Sequence, residues 1–177
     1  MLILAHGANV TAPQVPGDGS VPVLGCEGLL PANLVAGANV IVVDEDGYYW
    51  SAAVAENAAE AGLRVTVVTR LFEPFREVPV VSRIATLKAL DQRNAIVQPN
   101  CEIARMESGH VVIRHYLSKR EWRVDDVAAI LWTGMQKPSS LNVDAMKGFT
   151  VHAIGDAVSP RRFFNALTEA HLLARTI

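Results

Sequence analysis

The chain has 177 residues, a formal net charge of -2, and half of its residues hydrophobic, with fewer than a fifth charged. That length holds one ordinary domain, or one domain and pieces of another, and that apolar share is enough to bury a core and to exclude global disorder. The slight negative charge argues against nucleic acid as the main partner, and no apolar run approaches the ~20 residues of a membrane span.

Met1 to Ala5 is apolar but stops at His6-Gly7, without the basic start or the length of a signal peptide, so a cytoplasmic location is expected. Leu2 to Ala5 reads as a short strand, a cut edge with nothing before it. Residues 9 to 37, with Ala12-Pro13, Val15-Pro16-Gly17-Asp18-Gly19 and Leu30-Pro31, read as an ordered connector with little regular structure. Asn39 to Val43 is a continuous β-branched run, the pattern of a strand buried on both faces of a parallel sheet. Ser51 to Ala61 predicts an alanine-rich helix ended by Gly62, and Arg64 to Thr69 a second buried strand. Strand, helix and strand within about thirty residues form a βαβ unit.

Ser82 to Arg93, with Ser82 as N-cap, predicts a second helix, and Ala95 to Val97 the next parallel strand. The pattern then changes to period-two alternation. Ile103 to Met106, a turn at Glu107 to Gly109, Val111 to Ile113 and Glu121 to Val124 predict an antiparallel meander. Val127 to Trp132 is another buried strand closed by Thr133-Gly134. Leu141 to Lys147 predicts a short helix and Val151 to Ile154 a last strand, and Pro160 opens a final helix. The element order therefore predicts an α/β class with a central parallel sheet, helices and an antiparallel β-meander.

Two turns carry the chemistry. A dinucleotide-binding βαβ unit places G-x-G-x-x-G after its first strand, so that backbone N–H groups at the helix start approach a pyrophosphate. Here the segment is Asp44-Glu45-Asp46-Gly47-Tyr48-Tyr49-Trp50, and only Gly47 remains of the glycines. Two unit charges ~5 Å apart at an effective dielectric of ~20 repel by roughly 3 kcal/mol. Standard NAD(P) pyrophosphate binding is therefore not expected there; the aromatics are expected to fill the crevice and the acids to face water. Arg70, after the second strand, stands where an NADP-binding fold pairs an Arg with the 2′-phosphate. The second turn is Ile154-Gly155-Asp156-Ala157 before the final helix, where backbone donors suit phosphate and a carboxylate suits a sugar hydroxyl. Gly7 ends the first strand in a similar glycine turn.

These pieces, in this order, resemble the C-terminal half of the trimethylamine dehydrogenase, histamine dehydrogenase and 2,4-dienoyl-CoA reductase family, whose nucleotide domains are similar to those of glutathione reductase. The resemblance rests on Leu4-Ala-His-Gly-Ala8, Val42-Val-Asp-Glu-Asp-Gly-Tyr-Tyr49, Ala61 to Thr69, Ile130-Leu-Trp-Thr-Gly134, Ile154 to Arg162 and Glu169-Ala-His171. His6 departs from the family's Thr. The resemblance implies a Rossmann-like three-layer FAD/NAD(P)-binding fold, with an inserted NAD(P)-binding-like domain over 38–149 and with 1–37 and 150–177 as remnants of an FAD- or ADP-binding-like domain. It implies Gly155 and Asp156 as flavin or adenine-nucleotide contacts. FMN, an iron-sulfur cluster and the substrate site are implied only for an N-terminal part outside this chain.

No metal or catalytic residue is expected. His6, His110, His115, His152 and His171 have no metal-ligand spacing. Ser139, Ser140 and Ser159 lack a base partner, and Asp125-Asp126 reads as a turn. Cys26 and Cys101, far apart and without further ligands, read as reduced thiols. Trp50, Trp122 and Trp132 are expected in the core or an interface.

The functional expectation is an FAD/NAD(P)-binding-like part of a flavin-dependent oxidoreductase, inactive alone, with degenerate dinucleotide binding and the rest of the parent flavoenzyme as partner. Two alternatives stay open. One is a working NAD(P)H domain that passes hydride to a flavin. The other is a homo-oligomeric module without any bound nucleotide, motivated by the free edge near Leu2 to Ala5.

Overall fold

Strictly alternating burial organises the centre of the molecule. Val40, Val42, Val65, Val67, Ala129 and Leu131 bury into one cluster; Ile41, Val43, Val68, Ile130 and Trp132 bury into another. Successive side chains of a strand point to opposite faces, so strands this apolar need cover on both sides. The structure, a computed structural model, describes residues 1–25, 34–134, 136–138, 141 and 147–177. The helix expected over Leu141 to Lys147, together with Cys26, Leu30-Pro31 and Ser139-Ser140, falls largely or wholly outside them.

The elements run β1 (Leu2–Leu4), β2 (Ala8–Val10), β3 (Val23–Gly25), β4 (Asn39–Asp44), α1 (Tyr49–Glu60), β5 (Arg64–Val68), α2 (Val80–Gln92), β6 (Ile96–Gln98), β7 (Cys101–Glu107), β8 (His110–His115), β9 (Glu121–Val124), β10 (Val127–Thr133), β11 (Gln136–Pro138), β12 (Val151–Ala153) and α3 (Phe163–Ala174). They form two compact units, one of Met1–Thr11 with Gln136–Ile177 and one of Ala12–Met135. The β3–β10 pairing holds the connector in the larger unit, and the β2–β11 pairing holds Gln136 to Pro138 in the smaller one.

In the larger unit a five-stranded parallel sheet has the order β3-β10-β4-β5-β6. One face is covered by α1 and α2, through Ala52, Val54, Ala55, Ala58 and Leu90. The other is covered by the antiparallel meander β7-β8-β9, through Cys101, Met106, Val111 and Ile113. The three-layer α/β expectation stands. Among the described residues no helix is long and apolar enough to cross a membrane.

The described part of the connector is ordered by a few specific contacts. Gly17 bridges to Met106, and a Cβ at Gly17 would stand 2.0 Å from the Met106 carbonyl oxygen. The Asp18 carboxylate accepts hydrogen bonds from the N–H groups of Ser20 (2.9 Å) and Ser108 (2.6 Å), and Ser20 Oγ accepts from Gly109 N–H (2.9 Å). The connector is thus stapled to the β7–β8 turn, and Val21 reaches the core beneath it.

Two helix starts differ from expectation. α2 begins at Val80 behind Pro79, and Ser82 gives no cap; its hydroxyl oxygen instead accepts from Tyr49 Oη at 3.1 Å. α3 begins at Phe163, because Gly155–Ala157 forms a separate 3-10 turn and Arg162 is still extended.

In the smaller unit β1 pairs in parallel with β12, and β2 pairs antiparallel with β11. Both β2 and β11 are three-residue strands.

The Asp18 staple has a pH signature. Donors from Ser20 and Ser108 hold its carboxyl at about 2, against 3.8 ordinarily. A depressed carboxyl stabilises the fold above its unfolded value and loses that contribution as pH falls through its folded value. Asp18 should titrate near 2 by NMR. Asp18→Asn should lower the thermal midpoint at neutral pH, and this deficit should shrink below pH 3.8.

Candidate functional site

The strand order places the larger unit's crevice. From β4 the chain moves outward through β5 and β6, whereas β10 lies on the other side of β4. In open α/β sheets a ligand crevice forms at the carboxyl ends of the strands where the order reverses. Here that position holds the Asp44–Trp50 turn, and the turn is laced shut by protein groups.

Asp44 is only 1% exposed, correcting the expectation that the acids of this turn face water. Its Oδ1 accepts from Gly47 N–H (2.8 Å) and Ser51 Oγ (2.5 Å), and its Oδ2 from Phe75 N–H (2.8 Å). The neighbouring strands end in threonines that hold the backbone of the same turn. Thr69 Oγ1 donates to the Asp44 carbonyl and Thr133 Oγ1 to the Val43 carbonyl, each at 2.8 Å. Glu45 N–H donates to the Thr133 carbonyl (3.1 Å) and Glu77 N–H to the Gly47 carbonyl (2.7 Å). At Gly134, φ is 111° and a Cβ would stand 2.3 Å from Asp46 N, so the two loops touch backbone to backbone. Phe75 is fully buried at φ 53°, a left-handed conformation that costs a bulky residue about 1–3 kcal/mol. Tyr48 and Trp50 pack partly buried against the helical-face core, while Tyr49 is exposed.

Arg70 lies beside this turn. Its guanidinium is 3.4 Å from Glu45 and 3.9 Å from Glu102, and Glu102 also holds Arg114 at 2.6 Å. Burial pushes the Glu45 carboxyl up, opposed by Arg70. Of the sequence candidates, Gly47 and Arg70 therefore both border this crevice, with Asp44 and Glu45 interposed as their partners.

Gly7, Gly155 and Asp156 meet in the smaller unit, where they line a cavity of about 340 Å³ with Ala5, Ile154, Phe163 and Ala166. Gly155 has φ 63°, and a Cβ there would stand 3.1 Å from the Ala166 Cβ, so glycine lets α3 approach the turn. Gly155 N–H donates to Glu169 Oε2 at 2.6 Å, and Glu169 also pairs with Arg161. These two donors, Gly155 first, hold the Glu169 carboxyl below its ordinary value. Asp156 Oδ1 accepts from Arg161 N–H at 3.1 Å.

A cleft of about 980 Å³ in the larger unit lies at the opposite ends of the strands, among Asn39, Arg64, Ile96, Trp122 and Asp126. Among the described residues no three His, Cys, Asp or Glu side chains could share a metal ion. Cys101 is a buried free thiol whose burial pushes its pKa up.

No protein-family model and no curated protein sequence matches the chain. Solved structures do. Histamine dehydrogenase from Rhizobium sp. 4-9 superposes with TM-score 0.83 at 21% identity, covering 99% of this chain and 28% of that one. The 6-hydroxypseudooxynicotine amine oxidase from Pseudomonas geniculata N1 superposes with TM-score 0.80 at 24% identity, covering 96% of this chain and 28% of that one. The HOCl-induced flavoprotein disulfide reductase from Escherichia coli reaches TM-score 0.67 at 17% identity, covering 99% of this chain and 44% of that one. The chain thus shares its fold with domains of flavin-dependent oxidoreductases and spans 28% of the length of each of the first two.

The residues that close the crevice are Asp44, Thr69, Phe75 and Thr133, and sequence reasoning assigned them no such role. One signal was present: a threonine stands at or just past the end of each strand that flanks β4, in Val67-Val68-Thr69 and Leu131-Trp132-Thr133.

Asp44 is the group to test. Burial pushes its carboxyl up, against the three donors. A raised carboxyl favours the fold when protonated, so this contribution is lost as pH rises through the folded value. Asp44→Asn sets an amide N–H₂ against a backbone or hydroxyl donor. It should lower the urea unfolding free energy by about 1–3 kcal/mol and remove that slope from the pH–stability profile.

Proposed function

We propose that the chain is part of the FAD/NAD(P)-binding module of a flavin-dependent oxidoreductase, of the amine dehydrogenase, demethylase or enoyl reductase type. In this reading the larger unit is a scaffold with degenerate dinucleotide binding. The observation that carries it is the Asp44 carboxylate, which already takes Gly47 N–H, Ser51 Oγ and Phe75 N–H at the switch point of the sheet. A pyrophosphate there would have to displace an anion from its own donors. It would also meet Glu45 beside Arg70, so that the cation suited to a 2′-phosphate is already paired.

The smaller unit suits part of a flavin or adenine nucleotide better. Gly7, Gly155 and Asp156 border one cavity, and the Asp156 carboxylate is an acceptor fitted to a sugar hydroxyl. The flavin of the whole enzyme would supply the redox chemistry. This chain's residues would bind and orient the nucleotide, with Glu169 holding the Gly155 turn in place. The remaining contacts, and any FMN, iron-sulfur cluster or substrate site, would come from the rest of the parent enzyme, and the isolated chain would not turn over substrate.

Calorimetric titration with NADPH tests the scaffold reading. The expected result is no binding tighter than ~100 µM, the affinity that corresponds to about -5.5 kcal/mol. A tighter complex, weakened by Arg70→Ala, would instead establish a working NAD(P)H site.

A further inference from the structure

The cleft at the amino ends of β4, β5 and β6 holds about 980 Å³, the size of a small-molecule site. It is built wholly within the larger unit, and no residue that lines it comes from β1, α3 or any other part of the smaller one. A dinucleotide binds at the carboxyl ends of such a sheet, so this end calls for a different ligand.

Thr66 and Ile96 are register partners on β5 and β6, and Gln98 lies two residues on from Ile96, so the three share one face of the sheet. The meander covers that face at Val68 but not at β6, where Ile96 is 54% exposed. From β9, Trp122 lines the same cleft. Thr66 is only 9% exposed, and its hydroxyl has no hydrogen-bond partner among the described residues. A buried hydroxyl without a protein partner takes one from whatever fills the space beside it. The arginines around the cleft differ in their pairing. Arg93 is held by Glu60 and Arg123 by Asp125, whereas Arg64 forms no ion pair among the described residues. Asp126 is the opposing charge on the rim. Arg120 lies 5.4 Å from the centre of the Trp122 ring and lines an adjoining cavity of about 440 Å³ that shares Gln98 and Trp122.

We propose that the cleft binds a small planar aromatic carboxylate. The ring lies against Trp122 and Ile96, the carboxylate meets the Arg64 guanidinium, and Thr66 and Gln98 supply the remaining hydrogen bonds. An aromatic ring fits because Trp122 offers a large flat wall. A carboxylate fits because Arg64 brings one cation without a protein partner, and a guanidinium fork matches its two oxygens. A phosphate dianion fits less well. The carboxyl-terminal ends of α1 and α2, at Ala59 and Arg93, border the cleft with partial negative charge, and no helix amino terminus lines it. This inference is independent of the scaffold reading, because the cleft shares no residue with the Asp44–Trp50 turn.

Calorimetric titration of the full chain with 1-naphthoate tests it. The expected result is one saturable site with a dissociation constant below about 1 mM. Cyclohexanecarboxylate keeps the acid and loses the aromatic ring; 1-naphthamide keeps the ring and loses the charge. Each should bind at least about tenfold more weakly. Arg64→Ala should weaken 1-naphthoate at least about tenfold and leave 1-naphthamide unchanged, a split that a merely structural loss would not give. NMR gives a reading without any substitution. 1-Naphthoate should shift the Trp122 indole N–H resonance and leave that of Trp50, which packs on the helical face of the sheet, in place. No saturable binding below about 1 mM, equal affinity for the three compounds, affinity for 1-naphthoate unchanged by Arg64→Ala, or a shift at Trp50 without one at Trp122 would overturn the proposal.

Discussion

A carboxylate shut away from water is tolerated only where donors replace its hydration, and Asp44 has three, two from the start of α1 and one from the loop after β5. Those bonds tie the end of β4 to the first turn of α1 and to the loop after β5. The threonines at the ends of β5 and β10 then hold the backbone of the same turn from either side. Three adjacent strands are thereby joined at their carboxyl ends. The positive φ of Phe75 is held by the same network, since its N–H is one of the three donors and its ring lies in the core below. Removing the carboxylate would therefore release a helix start, a loop and a strained aromatic residue together.

The smaller unit repeats the device in a lighter form. Glu169 takes Gly155 N–H and the Arg161 guanidinium, so a protein carboxylate again satisfies a backbone donor of a glycine turn. The difference lies in what surrounds the acid. Asp44 is sealed under Phe75 and the two threonine-ended strands, whereas the Gly155 turn borders open volume with Asp156 beside it. The same chemistry thus closes one turn and braces the other.

The central layer was legible because its signal is local. Asn39 to Val43, Arg64 to Val68 and Val127 to Trp132 are apolar on both faces, and few structures other than a doubly covered parallel strand accommodate such a run. β2, β3 and β11 were not legible: each has three residues in or beside turn-rich sequence, and each exists only because a distant strand pairs with it. Ser82 read as a helix cap because Ser is favoured there, yet the helix starts two residues earlier and the hydroxyl meets Tyr49. Asp44 read as a solvated turn acid because most are. Nothing local reveals that Phe75, thirty-one positions on, points its N–H at the carboxylate. The glycine turns were visible individually; the cavity that groups Gly7 with Gly155 and Asp156 follows from the β1–β12 pairing.

The short β2–β11 ladder has a wider consequence. It joins residues just before Ala12 to residues just after Met135, so the whole intervening segment leaves and returns at one stem. Once such a stem is closed, the entropy of the enclosed chain changes only logarithmically with its length. The host unit therefore registers little of what happens inside the insert. A substitution in a turn such as Asp44 to Trp50 can therefore leave the host's own strands in register. The ladder is a stem that closes the large loop at its base, so a change of length inside that loop costs the host little.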